Sequence, residues 1–390
     1  MKVKQAPDDF QVEEVPTLDA GPEGPFAFYR LEKVGWATPD ALAAIRRRWQ
    51  IDLRRLSYGG LKDRHAHTVQ YLTIHRGPRR NLTHQRITLT YLGQVATPYQ
   101  SEHIRCNRFR IILRDLDLAS QPAIERRLAA LAGQGIPNYF DDQRFGSVSG
   151  PGDEFIARLL CRGQFEEALK LALAAPYEHD RAEQKREKAT LHAHWGDWAR
   201  CKDLLPRGHA RSLVDYLRVH PADFKGAVAR LRPDLRGLYL SAYQSHLWNR
   251  LLARWLERKL PAEQRYPVTL RLGPVPFPFA VDAASGAELS ALTLPLPTSR
   301  WKPEPDDARL SLVEEVLAED GLTLRDLQVR GVRELFFSRG ERPALAPIDG
   351  LKHAFAADDL HAGRSKLTLE FALPRGSYAT LIIKAATSGG

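Results

Sequence analysis

The 390-residue sequence predicts an α+β fold, a mixed and mainly antiparallel sheet with flanking helices, carrying a largely helical insertion. Three observations predict it. The first part of the chain alternates strand, helix, strand, strand, helix, which points to a mixed sheet covered by helices. The middle reads mainly as charged helices. The end returns to short strands. The simplest organisation is a discontinuous domain, residues 1–150 with 340–390, interrupted by an inserted domain over 151–339.

The elements follow in order. Phe26–Val34 is rich in aromatic and apolar residues without helix caps, as a strand should be, and Gly35 closes it. Thr38 is expected to cap a helix, with Pro39 at its first position and Asp40 in its first turn. That helix runs over Ala41–Trp49 and ends in Arg46-Arg-Arg48. Ser57–Ile74 reads as strand, Gly-containing turn, strand; Ile104–Leu113 as a further strand; Pro122–Ala132 as a helix. The character changes after Gly150-Pro-Gly152. Helices are expected over Phe155–Ala175, Arg181–Thr190, Ser212–Leu217, Pro221–Leu231 and Leu238–Leu260. Tyr266–Thr298, rich in Pro and Gly, reads as small strands and turns. Ser311–Asp320 and Leu324–Gln328 are helical again. Leu367–Leu373 and Tyr378–Lys384 read as strands around the turn Pro374-Arg-Gly376.

Composition narrows the class. The hydrophobic fraction of 43% and charged fraction of 27% are those of an ordinary globular protein. No stretch approaches the roughly 18 to 20 apolar residues of a membrane helix, and the first residues lack the apolar core of a signal peptide. Cys106, Cys161 and Cys201 include no CxxC pair, which argues against a disulfide framework or structural zinc. A cytoplasmic protein is expected.

The net charge is +10, and it is unevenly placed. Arg46–Arg114 holds fifteen Lys and Arg against three acids, Asp52, Asp63 and Glu102. Concentrated positive charge suits a polyanion, because neutralising phosphates releases counterions. A solvated basic face would look the same.

Chemistry concentrates in a few runs. In Gly59-Gly-Leu-Lys-Asp63, the glycines let the backbone turn sharply and Asp63 stands apart from other acids. Arg54, Arg55, Lys62 and Arg64 lie within ten positions and would hold it ionised if the fold keeps them close. Gly-Gly and Asp are also ordinary turn chemistry, so both roles stay open. Asp63, His65 and His67 alternate, and on a strand they would share a face. As metal ligands, for instance of a nuclease, they suffer from lying along one line. His192 and His194 read as polar surface. Asn138-Tyr-Phe-Asp-Asp-Gln-Arg-Phe-Gly146 offers an amide for a base edge, rings for stacking and Arg for phosphate; an aromatic core segment entering a turn fits equally. In Ser241-Ala-Tyr-Gln-Ser-His-Leu-Trp-Asn249 the helical spacing makes Leu247 and Trp248 core. Ser245 and His246 diverge on that helix and form no nucleophile–base pair.

Together these runs resemble one family. Gly60-Leu-Lys-Asp63, with Ala66, Thr68 and Gln70 at fixed offsets, resembles the signature of the TruD pseudouridine synthases. Asn138–Gly146 resembles the family's Asn-Tyr-Phe-Gly-x-Gln-Arg-Phe-Gly, with Asp141 where the family has Gly. Asp9-Phe-Gln-Val-Glu-Glu14, Ser241–Ser245 and Leu373–Thr380 are similar to three further segments, in the same order. The resemblance implies a pseudouridine synthase fold carrying the family's inserted domain. It implies cofactor-free isomerisation of uridine to pseudouridine in tRNA, at position 13, by a monomer that requires no protein partner. Asp63 would be the catalytic carboxylate and Lys4 the cation beside it. Phe10, Asn138 and Tyr378 would contact the target nucleotide, with Phe140 an aromatic beside it. Lys62, pointing opposite to Asp63 on an extended segment, would touch backbone or RNA. An RNA-binding module without catalysis shares the basic region but has no need of Asp63 or Lys4.

Overall fold

The computed structural model describes residues 1–146, 148, 154–177, 180–332 and 335–388. The expected break at Gly150-Pro-Gly152 lies outside the described residues. By contacts the chain divides into two compact units, Met1–Ile136 with Ala346–Gly390, and Pro137–Leu345.

The first unit is built on one sheet. Its strands are β1 (Lys2–Val3), β2 (Phe10–Pro16), β3 (Phe26–Val34), β4 (Leu56–Tyr58), β5 (His67–His75), β6 (Leu82–His84), β7 (Ile87–Val95), β8 (Ile104–Leu116), and the pair Asp349–Ala357 and Ser365–Pro374. Across the sheet the order is Asp349–Ala357, Ser365–Pro374, β8, β2, β5, β3, β7, β6, with β1 added to β8 and β4 to β5. Only β2 and β5 run parallel; the other pairs are antiparallel. The sheet is mixed and mainly antiparallel, as expected.

Alternation along the strands decides what is buried. In β3, Ala27, Tyr29 and Leu31 face a core completed by Leu72 and Ile74 of β5 and by Leu42 and Ile45 of helix α1 (Thr38–Trp49). The same period places Lys33 and Gln70 on that inward face, and both are buried. On the opposite side of β3, Phe28 packs with Val95, Tyr99 and Ile104.

Two expectations are corrected, and one strand is new. The cap of α1 is Ala37; Thr38 is already helical and its hydroxyl turns inward, where it is buried. Tyr378–Lys384 is not a strand: Ala379–Thr387 is a helix. Its β-branched residues suggested extension, yet Ala379, Ile382, Ile383 and Ala386 follow helical spacing and are all buried, and the helix packs on α2 (Gln121–Gln134). The edge strand Asp349–Ala357 was not expected at all. It is mostly exposed, so it shows no apolar alternation, and backbone pairing to Ser365–Pro374 creates it.

The second unit is largely helical. Its longest helix, Pro233–Lys259, buries Leu247 and Trp248, the positions its periodicity marked, and with them Tyr243 and Leu251. Arg265–Leu270 and Gly273–Pro278 form a hairpin, as the Pro/Gly-rich stretch suggested. The helix Ala283–Ala291 was not foreseen; Asp282 starts it by accepting from the amides of Ala284 and Ser285, both at 3.0 Å. Pro221–Leu231 shortens to the helix Phe224–Ala229, capped by Asp223, and Leu324–Gln328 to the single turn Leu324–Asp326.

Candidate active site

Asp63 lies in the loop between β4 and β5. β4 pairs Leu56 with Ile74 and Tyr58 with Leu72, so the chain leaves the sheet at Tyr58 and returns at His67. Three buried side chains hold this loop from the inward side. Gln70 donates to the Gly60 carbonyl at 3.2 Å, and its own oxygen accepts from the Thr38 hydroxyl at 2.8 Å. That hydroxyl accepts from the Lys62 amide at 2.9 Å. Lys33 Nζ donates to the carbonyls of Trp36 at 2.6 Å, Asp63 at 3.1 Å and Lys62 at 3.5 Å.

On the outer side, Lys4 Nζ donates to Asp63 Oδ2, and the His65 amide donates to Oδ1 at 3.0 Å. Burial pushes the Asp63 carboxyl up, but the Lys4 ammonium and the His65 amide together draw it below its ordinary value. The carboxylate is therefore held ionised. Lys4 also sits 4.4 Å from the centroid of the buried Phe10 ring, a cation–π contact. Its backbone is left-handed, φ 59°, which costs a residue with a Cβ on the order of 1 kcal/mol. The turn that follows is fastened: Asp9 accepts from the Ala6 amide at 2.8 Å and from buried Arg114 at 3.0 Å, and Arg114 also grips Asp358 at 3.1 Å.

Lys4, Phe10 and Asp63 thus come together, from chain positions nearly sixty residues apart. The cation at Asp63 is Lys4. Of the nearer basic residues, Arg55 donates to the carbonyls of His75 and Arg76. Lys62 forms a salt bridge at 2.6 Å to fully buried Glu14, which also accepts from the Tyr71 amide at 3.1 Å. Lys62 therefore serves the fold, through a buried carboxylate in place of the expected backbone contact. Glu14 closes the Asp9–Glu14 motif, but no role was assigned to it; Phe10, Val12 and Glu14 share one face of β2.

The face expected to join Asp63, His65 and His67 does not form. Asp63 and His65 precede the strand, and His67 is held by Asp8 at 3.1 Å and Glu32 at 2.8 Å. A groove of about 470 Å³ crosses β2, β5 and β8 beside His67; neither Asp63 nor Lys4 lines it. Two of its charge pairs are matched, Arg30 with Glu32 along β3 and Arg110 with Glu370 across neighbouring strands. Tyr378 is half-buried immediately before the last helix, in the same unit.

Asn138 and Phe140 belong to the second unit and are held there by hydrogen bonds and ring contacts. Arg342 donates to Asn138 Oδ1 at 2.5 Å and to its backbone carbonyl at 2.9 Å, while the Asn138 amide donates to the Pro343 carbonyl at 3.2 Å. The Arg342 guanidinium lies 4.3 Å from the centroid of the Phe140 ring, and Trp248 meets that ring edge-on at 5.7 Å. Asn249 brackets the Phe140 backbone, accepting from its N–H and donating to its C=O, both at 2.8 Å. Sequence reasoning did not single out Asn249, Arg342 or Lys33. Only for Lys33 was a signal present, its inward place in the alternation of β3. Asp141 sits at φ −89°, ψ 171°, backbone that any residue adopts, so Asp fits where the family has Gly.

The family model described as tRNA pseudouridine synthase D (TruD) matches residues 1–268 and 280–385. A protein of Methanococcus maripaludis named "Probable tRNA pseudouridine synthase D 1" is 30% identical over 98% of both chains. A tRNA pseudouridine synthase D of Aquifex aeolicus is 30% identical over 98% of this chain and 97% of its own. Among solved structures, one provisionally named tRNA pseudouridine synthase D (TruD), from Methanosarcina mazei, superposes with a TM-score of 0.74. That match has 25% identity and covers 98% of this chain and 92% of that one. The chain belongs to the TruD family.

Proposed function

We propose that this TruD-family chain is a tRNA pseudouridine synthase that isomerises uridine 13, with Asp63 acting at the sugar of a flipped nucleotide. The observation that carries the reading is the ionised Asp63 carboxylate, held by Lys4 beside the Phe10 ring. Uridine and pseudouridine have the same atoms. The N1–C1′ bond breaks, a C5–C1′ bond forms, and the proton displaced from C5 is balanced by one gained at N1. An ionised carboxylate serves this sequence either as a nucleophile at C1′ or as a base at C2′. Lys4 keeps it ionised among phosphates. Flipping the uridine costs a few kcal/mol, which stacking on Phe10 and Tyr378 offsets. The exposed arginines of the 46–114 region, Arg47, Arg54, Arg64 and Arg108 among them, supply phosphate contacts. The protein acts as a monomer in the cytoplasm.

The test is pseudouridine mapping of unmodified tRNA after incubation with the protein and with Asp63→Asn. Product at position 13 with the unchanged protein, and none with a variant that still binds tRNA, is expected. Folded protein that yields no pseudouridine in several tRNAs overturns the enzyme reading and favours a binding module. Product elsewhere overturns the position alone.

A further inference from the structure

We propose that Lys33 is a positioning residue for the Asp63 carboxylate, a buried ammonium that grips the loop carbonyls from beneath and fixes where the carboxylate points. The inference rests on the reading of Asp63 as the group that acts on uridine. Lys33 is fully buried, at 0% exposure, on the face of β3 shared with Ala27, Tyr29 and Leu31. A purely structural choice there is an apolar residue, because a buried charge costs several kcal/mol unless it is compensated. Its hydrogen bonds all go to backbone carbonyls, those of Trp36, Lys62 and Asp63. None goes to a carboxylate.

Two ammonium groups thus flank one residue. Lys4 holds the Asp63 carboxylate from outside, and Lys33 holds its carbonyl from inside. Lys33 also ties the start of α1, through Trp36, to the same loop, and Thr38 and Gln70 complete the cradle. A loop held this way keeps its carboxylate at a set distance from the sugar, and a misplacement of about 1 Å is worth on the order of 100-fold in rate. The charged groups facing Lys33 are Asp63, which favours its protonated form, and Lys62, which opposes it; burial dominates and lowers it to about 8. The ammonium is present below that pH and lost above it, so turnover should descend on the alkaline side.

The test compares Lys33→Met and Asp63→Asn with the unchanged protein, measuring kcat, KM for tRNA, tRNA affinity and the pH profile. Lys33→Met is expected to lower kcat by at least about 30-fold, with KM and tRNA affinity within about threefold, and to lose the alkaline limb near pH 8. A folded Lys33→Met protein with near-normal kcat overturns the proposal. If that variant does not fold, the unchanged protein decides: a kcat that stays flat from pH 7 to about 9.5 overturns it. Retained turnover in Asp63→Asn removes the reading on which the proposal rests, and the proposal with it. Inactive Asp63→Asn beside active Lys33→Met refutes the positioning role alone.

Discussion

Replacing Lys4 by Met removes the ammonium at Asp63 while keeping a side chain of similar reach over Phe10. Lys4 is 20% exposed and Asp63 38%, so the pair is only partly shielded from solvent. Two unit charges about 4 Å apart attract by roughly 4 kcal/mol at an effective dielectric of 20, and by about 1 kcal/mol in water. Exposure places this pair toward the second limit, at about 1–1.5 kcal/mol. At 1.36 kcal/mol per pKa unit, the Asp63 carboxyl should rise by about one unit. Burial, which pushes it up, is then opposed mainly by the His65 amide. The sign follows directly. Asp63 has a depressed pKa, so activity needing its ionised form is present above that pKa and lost as pH falls through it. In the unchanged protein this acid limb lies below the ordinary Asp range near 3.9. In Lys4→Met it moves upward by about one pH unit, and the stability that the pair contributes is lost over the same window. Single-turnover release of tritium from uridine labelled at C5, between pH 3.5 and 8 (about the range in which carboxylates and histidine titrate), measures the limb. Coincident acid limbs in the two proteins refute the reasoning.

Other outcomes follow from the same contacts. Glu14→Gln leaves the Lys62 ammonium without its buried partner and should lower stability by about 3–5 kcal/mol in urea unfolding; a loss below about 1 kcal/mol would show that water reaches the pair. Asn249→Ala strips the buried Phe140 N–H and C=O of their partners and should cost about 2–4 kcal/mol, read by thermal unfolding, and an unchanged midpoint counts against the bracket. Exchanging Arg46, Arg47 and Arg48 for Gln should weaken tRNA binding and lower its salt slope by up to about 2. Filter binding over a salt series checks this, and an unchanged slope excludes the end of α1 from the RNA path.

How much of this was legible beforehand depended on whether the information was local. The strand Phe26–Val34 and the long helix expected over Leu238–Leu260, which begins earlier at Pro233, were plain because their apolar character is local. The run around Asp63 was recognisable, though the same letters allowed an ordinary turn. Contacts across long separations stayed hidden. Nothing near Glu14 or Lys62 in sequence announces that they pair. Thr38 has the chemistry of a cap, and the tertiary structure uses its hydroxyl instead to hold the loop at Lys62, further along the chain.

From the sequence alone came the α+β class, the basic region, the helical middle and the family to which the motifs belong. All of these rest on composition, period and order along the chain. The tertiary structure decided the rest: that Ala379–Thr387 coils because its apolar residues must meet α2, and that Lys62 turns away from Asp63 to buried Glu14. It also decided that Lys33, charged and placed among core residues, turns its ammonium to the carbonyls of the Asp63 loop. Burial and hydrogen bonding between distant segments select among local options that are nearly equal in energy, and only the folded chain brings those segments together.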